Sequence, residues 1–95
     1  MQKLQIYGTM MAEVIVAFRV LPKGVEIDLN DLEKKIRSSV KPERISHEPI
    51  AFGLVALHVV KIIRDAEGEL EKIEKKLKEI EEVSEIEVIG ITRSL

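Results

Sequence analysis

The chain has 95 residues, of which 45% are apolar and 34% charged, and its formal net charge is −2. This length and balance fit one small soluble globular domain with a single core. A net negative charge argues against a broad nucleic-acid-binding surface, which needs an excess of Lys and Arg. The chain has no Cys, which excludes disulfides and thiolate chemistry and fits a reducing compartment. No apolar run approaches the roughly 20 residues of a membrane helix, so we expect a cytoplasmic protein.

The beginning of the chain has the weakest pattern. Residues 1–10 lack the long apolar stretch of a signal peptide. We expect them to form a loosely ordered N-terminal extension. Residues 11–95 are then predicted to form one folded domain.

The first half of this domain is predicted to hold a strand, a helix and a second strand. Residues 13–21 alternate between apolar and polar side chains, which predicts a strand. Its apolar face consists of Val14, Val16, Phe18 and Val20. Residues 29–38 are predicted to form a helix that begins at the N-cap Asp28. Its apolar stripe consists of Leu29, Leu32 and Ile36. Pro42 ends this segment, and a short polar strand is predicted over 43–47.

The second half repeats the order of strand, helix and strand. The predicted elements are a strand, a turn, a helix and a strand, at 54–64, 65–68, 69–81 and 85–92. Along the last strand the apolar positions change phase between Val88 and Ile89. This change predicts either a bulge near Gly90 or burial of both faces.

The predicted order β-α-β-β-α-β indicates a fold. Right-handed crossovers place both helices on one face of a four-stranded antiparallel sheet, which is the α+β, ferredoxin-like sandwich. The other sheet face is then wet or covered by a partner. Because this architecture hosts many unrelated activities, the function has to be argued from a site.

The stretch that joins the two middle strands, residues 48–57, is the most informative part of the sequence. Pro49 cannot donate a ladder hydrogen bond, so we expect it at a strand end or edge. Gly53 allows a bend or a close backbone approach. Phe52, one of only two Phe residues in the chain, lies between them. It either packs back into the core, the usual state of Phe, or serves as an apolar anchor for a partner.

This stretch also resembles the central motif of a known family. The archaeal elongation factor 1-beta family has a motif similar to Glu48-Pro49-Ile50-Ala51-Phe52-Gly53-Leu54. The likeness extends over nearly all of residues 11–95, in the family's order and spacing. It includes Val20-Leu21-Pro22, Asp65-Ala66-Glu67-Gly68 and Val83-Ser84-Glu85-Ile86-Glu87-Val88.

The resemblance implies a function in protein synthesis. Members of this family are guanine-nucleotide exchange factors, which promote exchange of GDP for GTP on elongation factor 1-alpha. The chain would bind that partner in its GDP-bound and nucleotide-free forms, as a monomer, without a cofactor, a bound metal or direct contact to nucleic acid. It would not be an enzyme, because it would act by conformational catalysis on a GTPase. The partner-binding residues that the resemblance implies are Ile50, Ala51, Phe52, Gly53 and Arg93.

The C-terminal end departs from the family pattern. Family members often end in paired basic residues, and eukaryotic relatives use a basic residue next to the end. The penultimate residue here is Ser94, and the cation, Arg93, lies one place earlier. The resemblance implies that this cation disturbs the Mg²⁺ of the partner, whereas the sequence alone is also consistent with a frayed, solvated tail.

The remaining polar residues do not indicate catalysis. His47 and His58 lie on different predicted strands and have no Cys to complete a metal site. We expect His58 to be a hydrogen-bonded structural residue. The sequence shows no Ser, His and Asp set and no phosphate-binding Gly loop.

An alternative function comes from a different class. The same fold would suit a regulatory or self-associating ligand-binding module, in which Ile15, Ala17 and one face of 54–63 form a homodimer surface. An acylphosphatase-like enzyme would need an anion-binding loop, and residues 21–24 offer only one cation and one Gly. RNA binding would need aromatic residues that alternate along the central strands, whereas the chain has 3% aromatic residues.

Overall fold

The computed structural model describes residues 13–64 and 68–93. The strands are β1 (Glu13–Pro22), β2 (Arg44–Pro49), β3 (Val55–Arg64) and β4 (Val83–Arg93), and the helices are α1 (Leu29–Val40) and α2 (Glu69–Lys78). A 3₁₀ turn at Ala51–Gly53 joins β2 to β3. The order β-α-β-β-α-β confirms the predicted ferredoxin-like α+β fold. The extension predicted over residues 1–10 lies outside the described residues.

The strands form one antiparallel sheet. Within residues 13–64 and 68–93 their order is β2-β3-β1-β4, so β1 and β3 are central and β2 and β4 are the edges. Pro49 is the last residue of the edge strand β2. At this position its missing N–H group interrupts no ladder. The prediction that Pro49 lies at a strand end is therefore confirmed.

The hydrophobic core lies between the helices and one face of the sheet. The alternating residues of β1 that were predicted to form a core face are all buried, namely Val14, Val16, Phe18 and Val20. They share one cluster with Leu57, Val59 and Ile63 of β3 and with Leu32, Ile36, Val40, Ile73 and Leu77 of the helices. Both helices therefore cover the same sheet face. Phe18 is fully buried, and burial of a Phe side chain contributes roughly 1.5–3 kcal/mol.

Helix α1 has a defined cap at each end. Asp28 Oδ1 accepts hydrogen bonds from two backbone N–H groups of the first turn, at 3.0 and 3.3 Å. This confirms the predicted N-cap. The helix continues to Val40, beyond the predicted end at 38, because Val40 adds one more buried residue to the apolar stripe. Lys41 then takes a left-handed φ of 49° and its N–H donates to Arg37 O at 3.2 Å, which ends the helix.

Helix α2 is shorter than predicted and β4 is longer. The helix ends at Lys78 instead of 81, and Ile80 N donates to Leu77 O at 3.3 Å, a tight i→i+3 turn. Strand β4 begins at Val83 instead of 85. Val83 is buried in the core. Because its side chain packs there, the strand begins two residues earlier than the sequence pattern indicates.

Strand β4 contains the predicted irregularity near Gly90. Val88 pairs with Phe18 and Gly90 pairs with Ala17, so Ile89 is an extra residue opposite this step of β1. Of the two predicted alternatives, the bulge is confirmed, and burial of both faces is wrong because Ile89 and Ile91 are 39% and 55% exposed. The bulge returns Ile91 to the face of the sheet that Val88 occupies, which explains the change of phase in the sequence.

Candidate functional site

The connection between β2 and β3 is a short turn that we call the tip (residues 50–54). Its base is the last residue pair of the two strands, Pro49 and Val55. Two backbone hydrogen bonds close it, from Ile50 N to Leu54 O at 2.9 Å and from Leu54 N to Ala51 O at 3.2 Å. The tip therefore has a defined backbone conformation at one end of the sheet.

Two consecutive residues of the tip have left-handed backbone angles. Phe52 has φ 61° and ψ 33°, and Gly53 has φ 76°. Such pairs occur in the primed turns of β-hairpins, because their twist matches that of the strands. Gly53 adopts this conformation without cost, but for an L-residue such as Phe52 it costs about 1–2 kcal/mol.

Within the part of the chain that the structure describes, no burial of the Phe52 side chain offsets the cost of this backbone conformation. Its side chain is 99% exposed, whereas Phe18 is fully buried in the core. The alternative in which Phe52 packs back into the core is therefore wrong. Ile50, two residues earlier, is 38% exposed, so the tip presents apolar surface to solvent.

The loop between β1 and α1 adds a residue that the sequence analysis missed. Val25 is 67% exposed and lies beside the tip, since a Cβ atom on Gly53 would be 4.0 Å from Val25 Cγ1. We call Val25, Ile50 and Phe52 together the tip surface. The only signal in the sequence was an apolar residue between Gly24 and Glu26 in a polar turn, and nothing in it pointed to the tip.

The structure does not bring Arg93 to the tip. Arg93 is the last residue of β4 and its backbone pairs with Val14, whereas the β1 residue Val20 pairs with Leu57 near the tip. The six residue steps from Val20 to Val14 correspond to roughly 20 Å. Ile50, Ala51, Phe52 and Gly53 are thus together at one end of the sheet, and Arg93 is at the other.

A polar cluster on the open sheet face was also missed by the sequence analysis. Arg19 Nε and Nη2 donate to Glu48 Oε1 and Oε2, each at 3.2 Å, and Arg19 Nη1 donates to Glu87 Oε1 at 3.2 Å. The hydrogen bonds to Glu48 and Glu87 raise the pKa of the guanidinium. The hydrogen bond from Arg19 lowers the pKa of the Glu48 carboxyl, and the nearby charge of His58 adds to this effect.

The Arg19–Glu48 pair predicts a pH dependence of the free energy of unfolding, and Glu48→Gln should remove the contribution of this pair. Folding lowers the pKa of Glu48 below its ordinary value of 4.5, so the unfolded chain binds more protons than the folded chain in this range. The free energy of unfolding therefore falls as the pH falls through 4.5 toward the lower pKa of the folded state. Urea unfolding between pH 7 and 3 is expected to show a smaller loss for Glu48→Gln than for the unmodified chain. Equal slopes for the two proteins would contradict the prediction.

The histidines do not form a metal site. His47 lies on the helix-covered side of β2, and its Nε2 is 3.3 Å from Glu33 Oε1 of α1. His58 is half-buried on the sheet face away from the helices, and in the strand register its backbone lies opposite Arg19 of β1. Within residues 13–64 and 68–93, no three His, Cys, Asp or Glu side chains are placed to hold a metal ion. In the same ranges, no helix has the length and apolar character needed to cross a membrane.

Comparison with known proteins gives the class to which this fold and tip belong. Residues 15–93 match the family described as the EF-1 guanine nucleotide exchange domain. The elongation factor 1-beta of Methanothermobacter thermautotrophicus is 43% identical over 88 residues, which cover 87% of this chain and 98% of the relative. The chain therefore belongs to the elongation factor 1-beta family, as its central motif predicted.

Other archaeal relatives support this assignment over the same share of the chain. The elongation factor 1-beta of Methanosphaera stadtmanae is 37% identical over 86 residues, which cover 87% of this chain and 98% of the relative. That of Methanobrevibacter smithii is 34% identical over 87 residues, with the same shares of 87% and 98%. Because the family match over residues 15–93 includes the tip and nearly all of the sheet, the family assignment applies to the site described above.

Proposed function

We propose that this chain docks its tip surface on GDP-bound elongation factor 1-alpha and uses the far end of its sheet to loosen the nucleotide. Exchange of GDP for GTP on elongation factor 1-alpha is the function that membership of the family gives to the chain. The proposal concerns how the chain performs it. The residues that carry it are Ile50, Ala51, Phe52 and Gly53 at the tip, and Arg93 at the other end.

The conformation of Phe52 is the observation that supports docking most strongly. A bulky side chain at positive φ is a genuine outlier, and such strain is kept where it serves a function. Here the strained residue points its whole ring into solvent, at 99% exposure, so no packing within the described residues offsets the cost. An exposed aromatic ring on a rigid turn is a typical anchor for a partner pocket.

The other tip residues shape the contact. Gly53 supplies the second left-handed position that the turn needs. Ile50 and Val25 are exposed as well, and Val25 lies beside Gly53, so both would widen the apolar contact with the partner. Ala51 provides the carbonyl that closes the turn. In this proposal the tip surface contributes affinity, and its role is to hold the partner in a fixed orientation.

Arg93 would act at a second place on the partner, since the two ends of the sheet lie roughly 20 Å apart or more. Bound GDP is held by phosphate contacts and by Mg²⁺ in GTPases generally. A cation placed near that ion would weaken its hold on the phosphates. A chain that binds the nucleotide-free partner best must, by linkage, lower the affinity for nucleotide by the same factor. No bond is made or broken, so the chain acts by conformational catalysis and not as an enzyme.

Domain organisation, oligomeric state and location also belong to the proposed function. We take residues 11–95 as one exchange domain that works as a monomer in the cytoplasm, beside elongation factor 1-alpha. The match over residues 15–93 supports the single domain. Ile15 on the open sheet face is 37% exposed, and this is the surface that self-association would use.

A direct test uses elongation factor 1-alpha loaded with a fluorescent GDP analogue and mixed with excess GTP. We expect the release rate to rise with the concentration of this chain and then saturate, because a complex forms before nucleotide leaves. Stopped-flow fluorescence measures the rate. Release that is no faster with the chain than without it would contradict the proposal. A tight dimer in sizing chromatography, together with no acceleration, would favour the self-associating module.

A further inference from the structure

We propose that Arg19 is a positioning residue that sets the direction of the Phe52 tip, an inference that rests on the proposed function. Arg19 lies in the central strand β1, on the sheet face opposite the helices. Its guanidinium binds both carboxylate oxygens of Glu48, at 3.2 Å each, and Glu87 at 3.2 Å. Arg19 therefore connects the centre of the sheet to both edge strands.

The ion pair attaches Arg19 to a residue just before the tip. Glu48 is the second-last residue of β2, and only Pro49 separates it from Ile50. Among the described strands, β2 has β3 as its single neighbour. The backbone of β2 pairs with β3 up to Pro49, and Ile50 N donates to Leu54 O at 2.9 Å. The Arg19 side chain adds a separate attachment to the end of β2 from β1.

On this sheet face, the β3 residue opposite Glu48 is small, and the β3 residue opposite Arg19 is His58. Strand β3 lies between β1 and β2, and its residue opposite Glu48 is Ala56. Ala56 is fully buried although it lies on the face away from the helices. This burial agrees with a guanidinium and a carboxylate that meet over β3.

The geometry favours orientation over stability as the role of this pair. The Arg19 and Glu48 side chains are 30% and 38% exposed, and ion pairs with this much solvent contribute little to stability. A bidentate Arg–carboxylate pair, however, fixes the angle between its two partners, and Lys cannot reproduce this. Loss of the pair should therefore leave the fold intact and widen the range of directions in which Phe52 points.

The test is a double-mutant cycle on the full chain, read by stopped-flow release of a fluorescent GDP analogue from elongation factor 1-alpha. Arg19→Ala is expected to raise the chain concentration for half-maximal acceleration about 5-fold, within the coupling found between interacting residues. The same change in a Phe52→Ala background should have no effect, because the positioned side chain is gone. Arg19→Lys should be intermediate. Glu87→Ala, which removes only the bond to the other edge strand, should match the unmodified chain.

A second measurement needs no partner. Amide order parameters of Phe52 and Gly53 in the free chain are expected to fall from about 0.85 toward 0.6 in Arg19→Ala. They should stay unchanged in Glu87→Ala. Urea unfolding of each variant shows whether the fold is kept. If Arg19→Ala is poorly folded, Arg19→Lys replaces it in both measurements.

Several results would overturn the inference. An equal effect of Arg19→Ala with and without Phe52 would mean that Arg19 contacts the partner itself. Unchanged order parameters, or no effect of Arg19→Ala on exchange, would remove its positioning role. Failure of the proposed function is distinguished by the unmodified chain, which would then not accelerate GDP release at all.

Discussion

Phe52→Ala is expected to raise the chain concentration needed for half-maximal acceleration of GDP release by about 30-fold, since an aromatic hot spot contributes about 2 kcal/mol or more. The fold should be unaffected, because the removed ring is 99% exposed and Ala at this position has the same left-handed backbone. Stopped-flow release from elongation factor 1-alpha measures the first effect, and urea unfolding measures the second.

A matched control separates the tip from apolar surface elsewhere. Ile15 is also an exposed large apolar residue, at 37% exposure, but it lies on the open sheet face. Ile15→Ala is expected to leave the acceleration at the level of the unmodified chain. Phe52→Ala with unchanged acceleration, or with loss of the fold, would remove Phe52 from the proposed contact. An effect of Ile15→Ala alone would move the contact to the open face.

Arg93→Ala is expected to slow GDP release about 10-fold at saturating chain, within the usual range of coupling between two binding sites. Binding itself should be retained, because the tip surface lies at the other end of the sheet. The half-saturating concentration then stays the same while the maximal rate falls. Both quantities come from one stopped-flow titration over chain concentration.

Two further variants show whether the exchange rate depends on the position of Arg93 or only on positive charge at this end of the sheet. Arg93→Lys keeps a cation and should retain most of the rate. Arg64 is an exposed cation at the last position of β3, near the same end of the sheet, so Arg64→Ala tests general positive charge and should have little effect. If Arg93→Ala leaves binding and rate at the unmodified level, another residue disturbs the metal ion of the partner.

The sequence predicted most of the fold because its signals are short-range. The alternation along residues 13–21 identified the core face of β1, and Asp28 identified the start of α1. The phase change at Ile89 predicted either a bulge or burial of both faces, and the strand register shows the bulge. The element ends were less accurate, since Val40 and Val83 extend their elements through contacts with the core that no local pattern contains.

The site was predicted only in part. The motif located the tip, but the residues alone left open whether Phe52 is buried or exposed, because Phe is usually buried in folded proteins. The structure decided this, since Phe52 lies in a turn with two left-handed residues and is 99% exposed. Val25 was missed because it comes from another loop, and its contact with the tip exists only in three dimensions.

The amino-acid sequence by itself determined the order of elements, the faces that are buried and the family. Periodicity, caps and turn residues act over a few positions, so they can be read along the chain. Only the tertiary structure decided that Arg19 reaches Glu48, which is 29 residues away, and that Phe52 and Arg93 lie at opposite ends. Strand order and register set these distances, and they depend on how the whole sheet packs against its helices.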